Sequence, residues 1–359
     1  MLKPGLQKFL QNNVKFQVLV VRNDGLGDLI LTLPLVAALK KQAPHCIITM
    51  LVRKPFVDFT KVVLDVDDVI CDEGVLLKRD FEKFSPEERK SKQSELIDII
   101  RKRKFDIALM PYAESQSAKI IHKAGVKYRV GSLRRSFFYH FTNYFTFSRK
   151  KSNYSEYELN LKYMNILGMS EQYSPVYMNI SPEKNKKLSQ KKTIVIHPYK
   201  RNATSLAWPM QSYVKLVDEL IGKGFQIIVM GDRVDGPEIQ KYFLAKKGLT
   251  IDVDRDLIEL GQLLLQCNLY IGNSSGPLHY AALLGKPHIG IFPAANSVSS
   301  VRWKTLPIDD QHRDRENYLL TPNVTCERSV CQPGSCGYEN CLSEISVPSV
   351  LQAVSYWLE

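Results

Sequence analysis

FQVLVVRNDGLGDLILTLPLVAALKK, residues 16–41, decides the fold. FQVLVV (16–21) is a continuous apolar, β-branched run of strand length. A turn with two glycines follows, and DLILTLPLVAALKK (28–41) then carries apolar residues at helical spacing. Together these make a βα unit. The same alternation continues outward. IITMLV (47–52), DVIC (68–71), IALM (107–110) and YRVG (128–131) read as further strands, with helical stretches between several of them. Short apolar runs alternating with helices predict a parallel sheet buried on both faces.

The series breaks between about 150 and 190, where SRKKSNYSEYELNLKYMNILG gives way to the polar SPEKNKKLSQKK; a linker is expected there. A second series then runs through TIVIHP (193–198), a helix at 210–223, FQIIVMG (225–231), a helix at 256–266, LYIGN (269–273), a helix at 277–284 and HIGIFP (288–293). The expectation is an α/β chain of two domains, 1–180 and 181–359, which suits 359 residues. Open parallel sheets bind ligands beyond the carboxyl ends of their strands, so two such domains facing each other would place their sites in the cleft between them.

Composition limits the function classes. Hydrophobic residues make up 44% and charged residues 24%, and no apolar run approaches the ~20 residues of a membrane span. The N-terminal stretch lacks the uninterrupted apolar core and small-residue cleavage site of a signal peptide, so a cytoplasmic location is expected; a monomer is the accompanying expectation. Lys and Arg exceed Asp and Glu by 49 to 37, a net charge of +12. That excess suits phosphates, an anionic membrane face or nucleic acid. The cations read as scattered and no RNA-binding or zinc-finger pattern is present, which disfavours nucleic acid and favours an acidic glycolipid at a bilayer surface.

Asn23-Asp24-Gly25-Leu26-Gly27-Asp28 joins the first strand to its helix. Glycines there allow close backbone approach, and the helix N-terminus faces a ligand. No third glycine completes a dinucleotide fingerprint. Asp28 has two readings: a helix N-cap, or a general base that removes a proton from an acceptor hydroxyl. Asp24 reads as a turn residue.

In the second half, Gly272-Asn273-Ser274-Ser275-Gly276-Pro277-Leu278-His279 lies between a strand and a helix. Pro277 suits a first helical turn, the preceding hydroxyls suit a cap, and the N-H groups around Ser275 and Gly276 suit a diphosphate. His279 reads either as a hydrogen-bond donor to that phosphate or as a structural histidine. His197-Pro198 ends a strand, and Lys200, Arg201, Thr204 and Ser205 follow before Trp208-Pro209, a mixture that suits phosphate or a solvated loop. Asp235, after another strand, suits ribose hydroxyls or a helix cap. Arg53, Lys54, Arg129, Arg134 and Arg135 read as lying just after first-half strands, where they could meet acidic groups of an acceptor.

NDGLGDLILTLPLVAALKKQAP, the HP…WP segment and GNSSGPLHYAALLGKP resemble glycosyltransferase family 9, the ADP-heptose:lipopolysaccharide heptosyltransferases. The resemblance implies a GT-B fold of two Rossmann-like domains, the N-terminal one for the acceptor and the C-terminal one for the nucleotide sugar. It also implies metal-independent inverting transfer from an ADP-heptose-type donor to a lipopolysaccharide core acceptor, with no cofactor, at the cytoplasmic face of the inner membrane. Asp28 becomes the catalytic base, Ser274, Ser275, Gly276 and His279 flank the donor diphosphate, and Gly27 lies on the acceptor side. The chain departs from the family at Ser274, where Asp is common, and at Leu206, where Lys is common; Lys200 or Arg201 would then supply the charge. Transfer of another sugar, or a silent binding role, are the alternatives.

Cys326, Cys331, Cys336 and Cys341 recur every five residues without the paired C-x2-C spacing of zinc ribbons. They read as a structural element, through zinc or disulfides.

Overall fold

The computed structural model of the protein describes residues 4–13, 15–146, 148–149, 152–183, 191–199, 206–307, 318–326 and 340–358. Two compact units emerge. One comprises Met1–Ser152 with Glu156–Asn179, the other Asn153–Ser155 with Ile180–Glu359.

The first unit holds β1 (Gln17–Val21), β2 (Ile47–Arg53), β3 (Asp68–Asp72), β4 (Ile107–Leu109), β5 (Tyr128–Ser132) and β6 (Asn143–Phe145). They form one sheet in the order β3-β2-β1-β4-β5-β6, every pair parallel. The second unit holds β7 (Thr193–His197), β8 (Gln226–Gly231), β9 (Leu249–Val253), β10 (Leu269–Asn273), β11 (His288–Ile291) and β12 (Tyr318–Leu320). Its order, β9-β8-β7-β10-β11-β12, is again all parallel. Both sheets are doubly wound with the same topology, and strand order reverses between β1 and β4 and between β7 and β10. A crevice opens at such a switch point, outside the carboxyl ends of the strands.

The central strands are apolar throughout because helices cover both faces. Val18, Leu19, Val20 and Val21 of β1 and Ile194, Val195 and Ile196 of β7 are wholly buried. β6, β9 and β12, which close three of the four sheet edges, were not expected from sequence; β9 and β12 are half-buried along their length.

The single helix expected over 28–41 is two, Leu26–Ile30 and Leu33–Gln42. Pro34 lies in the first turn of the second, where a missing N-H costs no helical bond. The stretch expected as linker contains helix Glu156–Ile166, which is mostly buried and packs within the first unit. Its Asn160 Nδ2 donates to the Leu31 carbonyl at 2.8 Å and to Thr32 Oγ1 at 3.2 Å, pinning the break between the two helices. Thr32 Oγ1 in turn donates to the Asp28 carbonyl at 2.9 Å. The backbone that carries Asp28 is therefore fixed by helix Glu156–Ile166.

Candidate active site

At the first switch point the chain leaves β1 through Arg22, a buried cation 2% exposed. Its guanidinium forks to three carboxylates. Nε donates to Asp24 at 2.8 Å, Nη2 to Asp28 at 2.6 Å and Nη1 to Glu156 at 3.5 Å. Arg149 also pairs with Glu156. Burial opposes the charge of Arg22, but Asp24, Asp28 and Glu156 outweigh it and raise its pKa.

Two guanidinium groups thus pair with three carboxylates, and Arg53 and Arg79 reach the same loop through the Asp24 carbonyl. Burial and then the Asp24 charge push the Asp28 carboxyl up to about 7; Arg22 pulls the other way, and Glu156 adds a smaller upward push. Its side chain remains 24% exposed, so the group is desolvated yet accessible.

Helix capping is not what Asp28 does. The N-cap of helix Leu26–Ile30 is Gly25, no side chain caps it, and the Asp28 carboxylate turns to Arg22 instead. Gly25 leaves room for that carboxylate, since a Cβ there would stand 2.8 Å from Asp28 Oδ2. Asp24 is likewise more than a turn residue. Alongside, Asn23 Nδ2 donates to Asp72 Oδ2 at 3.2 Å, while the buried Asn23 Oδ1 has no hydrogen-bond partner among the described residues.

The other first-unit candidates divide. Gly27 lies in the same short helix. Arg53, at the end of β2, donates from Nη2 to Asp80 at 2.9 Å and from Nη1 to the Asp24 carbonyl at 3.5 Å, which brings it to the loop. Arg129 is the second residue of β5, not a residue beyond its end. Its Nε and Nη1 donate to the His140 and Val126 carbonyls, each at 2.6 Å, an arrangement that braces the turn. Arg134 is exposed after β5, with Nε donating to the Thr146 carbonyl at 2.7 Å. Arg22 and Glu156 went unnoticed in the sequence.

At the second switch point, β10 runs into helix Gly276–Leu283 through Ser274 and Ser275, with Pro277 in the first turn. Ser275 occupies the N-cap but makes no side-chain cap bond. Its hydroxyl meets His197 Nδ1 at 3.4 Å, and His197 Nε2 stands 3.8 Å from Asp235 Oδ2. The leading N-H groups of such a helix have no intrahelical acceptor and favour an anion. Asp235 precedes helix Gly236–Phe243 without capping it, and its buried Oδ1 has no partner among the described residues. His279 is buried in the first turn of Gly276–Leu283. His197, which reads in the sequence only as a strand end, is the residue that ties Ser275 to Asp235.

Asn273 assembles these pieces. Its Oδ1 accepts from the Trp208 N-H at 2.8 Å, and its Nδ2 donates to the Pro198 carbonyl at 3.0 Å. The three sequence-distant motifs therefore meet at one buried amide. Lys200, Arg201, Thr204 and Ser205 lie outside the described residues, as do Cys331 and Cys336. Cys326 and Cys341 are described and unpaired with each other. Among the described residues, no three His, Cys, Asp or Glu side chains gather as a metal site.

Two doubly wound units of the same topology, each with a polar cluster at its switch point, define an α/β protein of the GT-B class. Residues 94–316 match the model of glycosyltransferase family 9 (heptosyltransferase), and the chain belongs to that family. It is a glycosyltransferase. It is 22% identical over 321 residues to lipopolysaccharide heptosyltransferase 3 of Escherichia coli, covering 82% of this chain and 92% of that one. Among solved structures it resembles the family 9 glycosyl transferase of Veillonella parvula, with a TM-score of 0.73 at 18% identity over 96% and 97% of the two chains. It also resembles the E. coli heptosyltransferase WaaC bound to ADP-2-deoxy-2-fluoro heptose, with a TM-score of 0.69 at 15% identity over 95% and 99%.

Proposed function

We propose that the protein transfers a heptose from an ADP-heptose-type donor to a lipopolysaccharide core acceptor, with inversion and with Asp28 as general base. The observation that carries this reading is the Asp28 carboxyl, desolvated, partly exposed and raised to about 7. A base whose pKa lies near the working pH combines a usable ionised fraction with real basicity. Asp28 takes the proton of an acceptor hydroxyl as that oxygen bonds to the anomeric carbon. The bond from the same carbon to the diphosphate oxygen breaks on the opposite face, and ADP leaves with the electron pair.

Chemistry distributes the two substrates between the units. Three carboxylates around Arg22 repel a diphosphate, whereas the N-terminus of helix Gly276–Leu283, with Ser274, Ser275, Gly276 and His279, suits one without a metal ion. Lys200, Arg201, Thr204 and Ser205 would add charge and hydroxyls from the neighbouring segment. The unpartnered Asp235 Oδ1 suits a ribose hydroxyl. On the first unit, Gly27, Arg53 and Arg134 would meet the acceptor, while the committed donors of Arg129 give it a bracing role. The relatives, a lipopolysaccharide heptosyltransferase and a heptosyltransferase structure holding a fluorinated ADP-heptose, support both substrate classes. No described helix is long and apolar enough to cross a membrane, and a peripheral position at the cytoplasmic face would suit a lipid-linked acceptor.

The test is transfer and donor hydrolysis with ADP-heptose against a panel of nucleotide sugars, using wild type and Asp28→Asn. Failure to bind any ADP-sugar refutes the donor, and unchanged turnover in Asp28→Asn refutes the base.

A further inference from the structure

The net charge is not spread along the chain. Residues 115–155 contain nine Lys and Arg and neither Asp nor Glu, so 41 residues supply +9 of the total +12. The scattered distribution expected from the sequence does not hold for this stretch. Nine aromatic residues are interleaved with the cations.

The fold brings part of this stretch onto one surface of the first unit. Helix Ser115–Lys123 packs against the turn Phe138–His140, with His122 Nδ1 and His140 Nδ1 2.9 Å apart. The turn is closed by the Phe138 N-H donating to the Arg135 carbonyl at 3.0 Å, which holds Arg134 and Arg135 beside it. Lys119, Arg134 and Arg135 are exposed. So are two adjacent aromatic rings, Phe138 at 43% and Tyr139 at 64%. The rings meet edge to face, their centroids 6.4 Å apart. Glu114, at the start of the helix, is already engaged by the Lys78 N-H and the Tyr112 hydroxyl.

Exposed aromatics need an explanation when exposed cations lie on the elements beside them. Aromatic side chains settle at the level of lipid headgroups, and Lys or Arg beside them gain about fivefold each in affinity for an anionic leaflet. We propose that this surface, built around Phe138, Tyr139, Lys119 and Arg135, docks the protein on an anionic phospholipid bilayer. The two rings stand 71° apart and so form no platform of parallel rings for successive bases, a geometry that suits a lipid surface better than nucleic acid. The inference rests on surface chemistry and is independent of the transfer reaction.

The test is sedimentation of the full chain with vesicles of phosphatidylcholine alone or mixed with phosphatidylglycerol, alongside binding of single-stranded DNA. Wild type should bind the mixed vesicles at least tenfold more tightly than neutral ones. Phe138→Ser/Tyr139→Ser and Lys119→Glu/Arg135→Glu should each lower that binding tenfold or more with unchanged thermal melting, and the aromatic variant should leave transfer to a soluble acceptor sugar unchanged. Should the aromatic variant fold poorly, the charge variant decides alone. Equal binding to neutral vesicles, vesicle binding that survives the charge variant, or a preference for DNA over mixed vesicles overturns the proposal. Loss of transfer in every protein, wild type included, would count against the proposed reaction and leave the docking result intact.

Discussion

Asp24→Asn should move the acid limb of the pH-rate profile to lower pH. Asp24 and Asp28 sit on different nitrogens of the same buried guanidinium, at 2.8 and 2.6 Å. Two unit charges 4 Å apart at an effective dielectric of ~20 interact by about 4 kcal/mol, and the solvent that reaches Asp28 screens the pair to roughly 2 kcal/mol. At ~1.36 kcal/mol per pH unit, that would move the acid limb by about 1.5 pH units. Asn keeps the oxygen that accepts from Arg22 Nε and removes the charge. The Asp28 carboxyl should therefore fall from about 7 toward its ordinary value. At pH 6 the ionised fraction would rise from about one tenth to about three quarters, so kcat/KM there should increase roughly sevenfold. Above pH 8 both proteins are ionised, and the variant, now the weaker base, should be equal or slower. The assay is initial-rate transfer between pH 5 and 9 at subsaturating acceptor. An unmoved acid limb in a folded Asp24→Asn protein would show that some other group sets it.

Asp28→Asn should cost about 10²- to 10⁴-fold in turnover and should also stabilise the fold in a pH-dependent way. The folded pKa lies above the unfolded one, so ionising Asp28 in place costs stability, and the cost is fully present only above about pH 7. Thermal melting should therefore show a gain for Asn at pH 8, up to about 4 kcal/mol, that shrinks toward pH 4. Gly25→Ala places a Cβ 2.8 Å from Asp28 Oδ2 and should lower turnover more than tenfold with a small change in melting temperature, measured on the same samples. Asn273→Ala leaves a buried N-H at Trp208 and a carbonyl at Pro198 without partners. Chemical denaturation should register a loss of about 2–5 kcal/mol, with donor KM rising.

Much of this was legible in the sequence because the central strands are buried on both faces and read as unbroken apolar runs. β1, β2, β7, β8 and β10 fall within a residue of their expected spans. β6, β9 and β12 are edge strands of three to five residues whose sequences carry no such run. The candidate residues were legible in part for the same reason, since loops after buried strands are easy to place. Their partners were not. Arg22 reads as an ordinary cation at a strand end, and Glu156 lies 134 positions away in a polar stretch that resembles a linker. Only the packing of helix Glu156–Ile166 into the first unit makes them a cluster. A sequence likewise cannot show that the hydroxyl of Ser275 leaves its own helix to meet His197.

The two units share one topology, and their opposite chemistry follows from a single position in it. The residue at or just past the carboxyl end of the first strand, Arg22 after β1 and His197 closing β7, lies at the switch point where strand order reverses. Where that residue is a permanent cation, it can gather three carboxylates, and the cluster ends one negative charge in excess even with Arg149 present. Burial first, and then the neighbouring Asp24 charge, raise the carboxyl of the cluster that keeps solvent access, Asp28. Where the residue is an imidazole, it engages one hydroxyl and one carboxylate, and the N-H groups of the following helix remain available to an anion. Exchanging the strand-end residue should therefore do more than remove a contact. Arg22→His would leave three carboxylates with too little positive charge, raise the Asp28 carboxyl further and shift the acid limb upward, the opposite of Asp24→Asn. Acid limbs that move in the same direction in both variants would refute the charge balance on which the assignment of Asp28 depends.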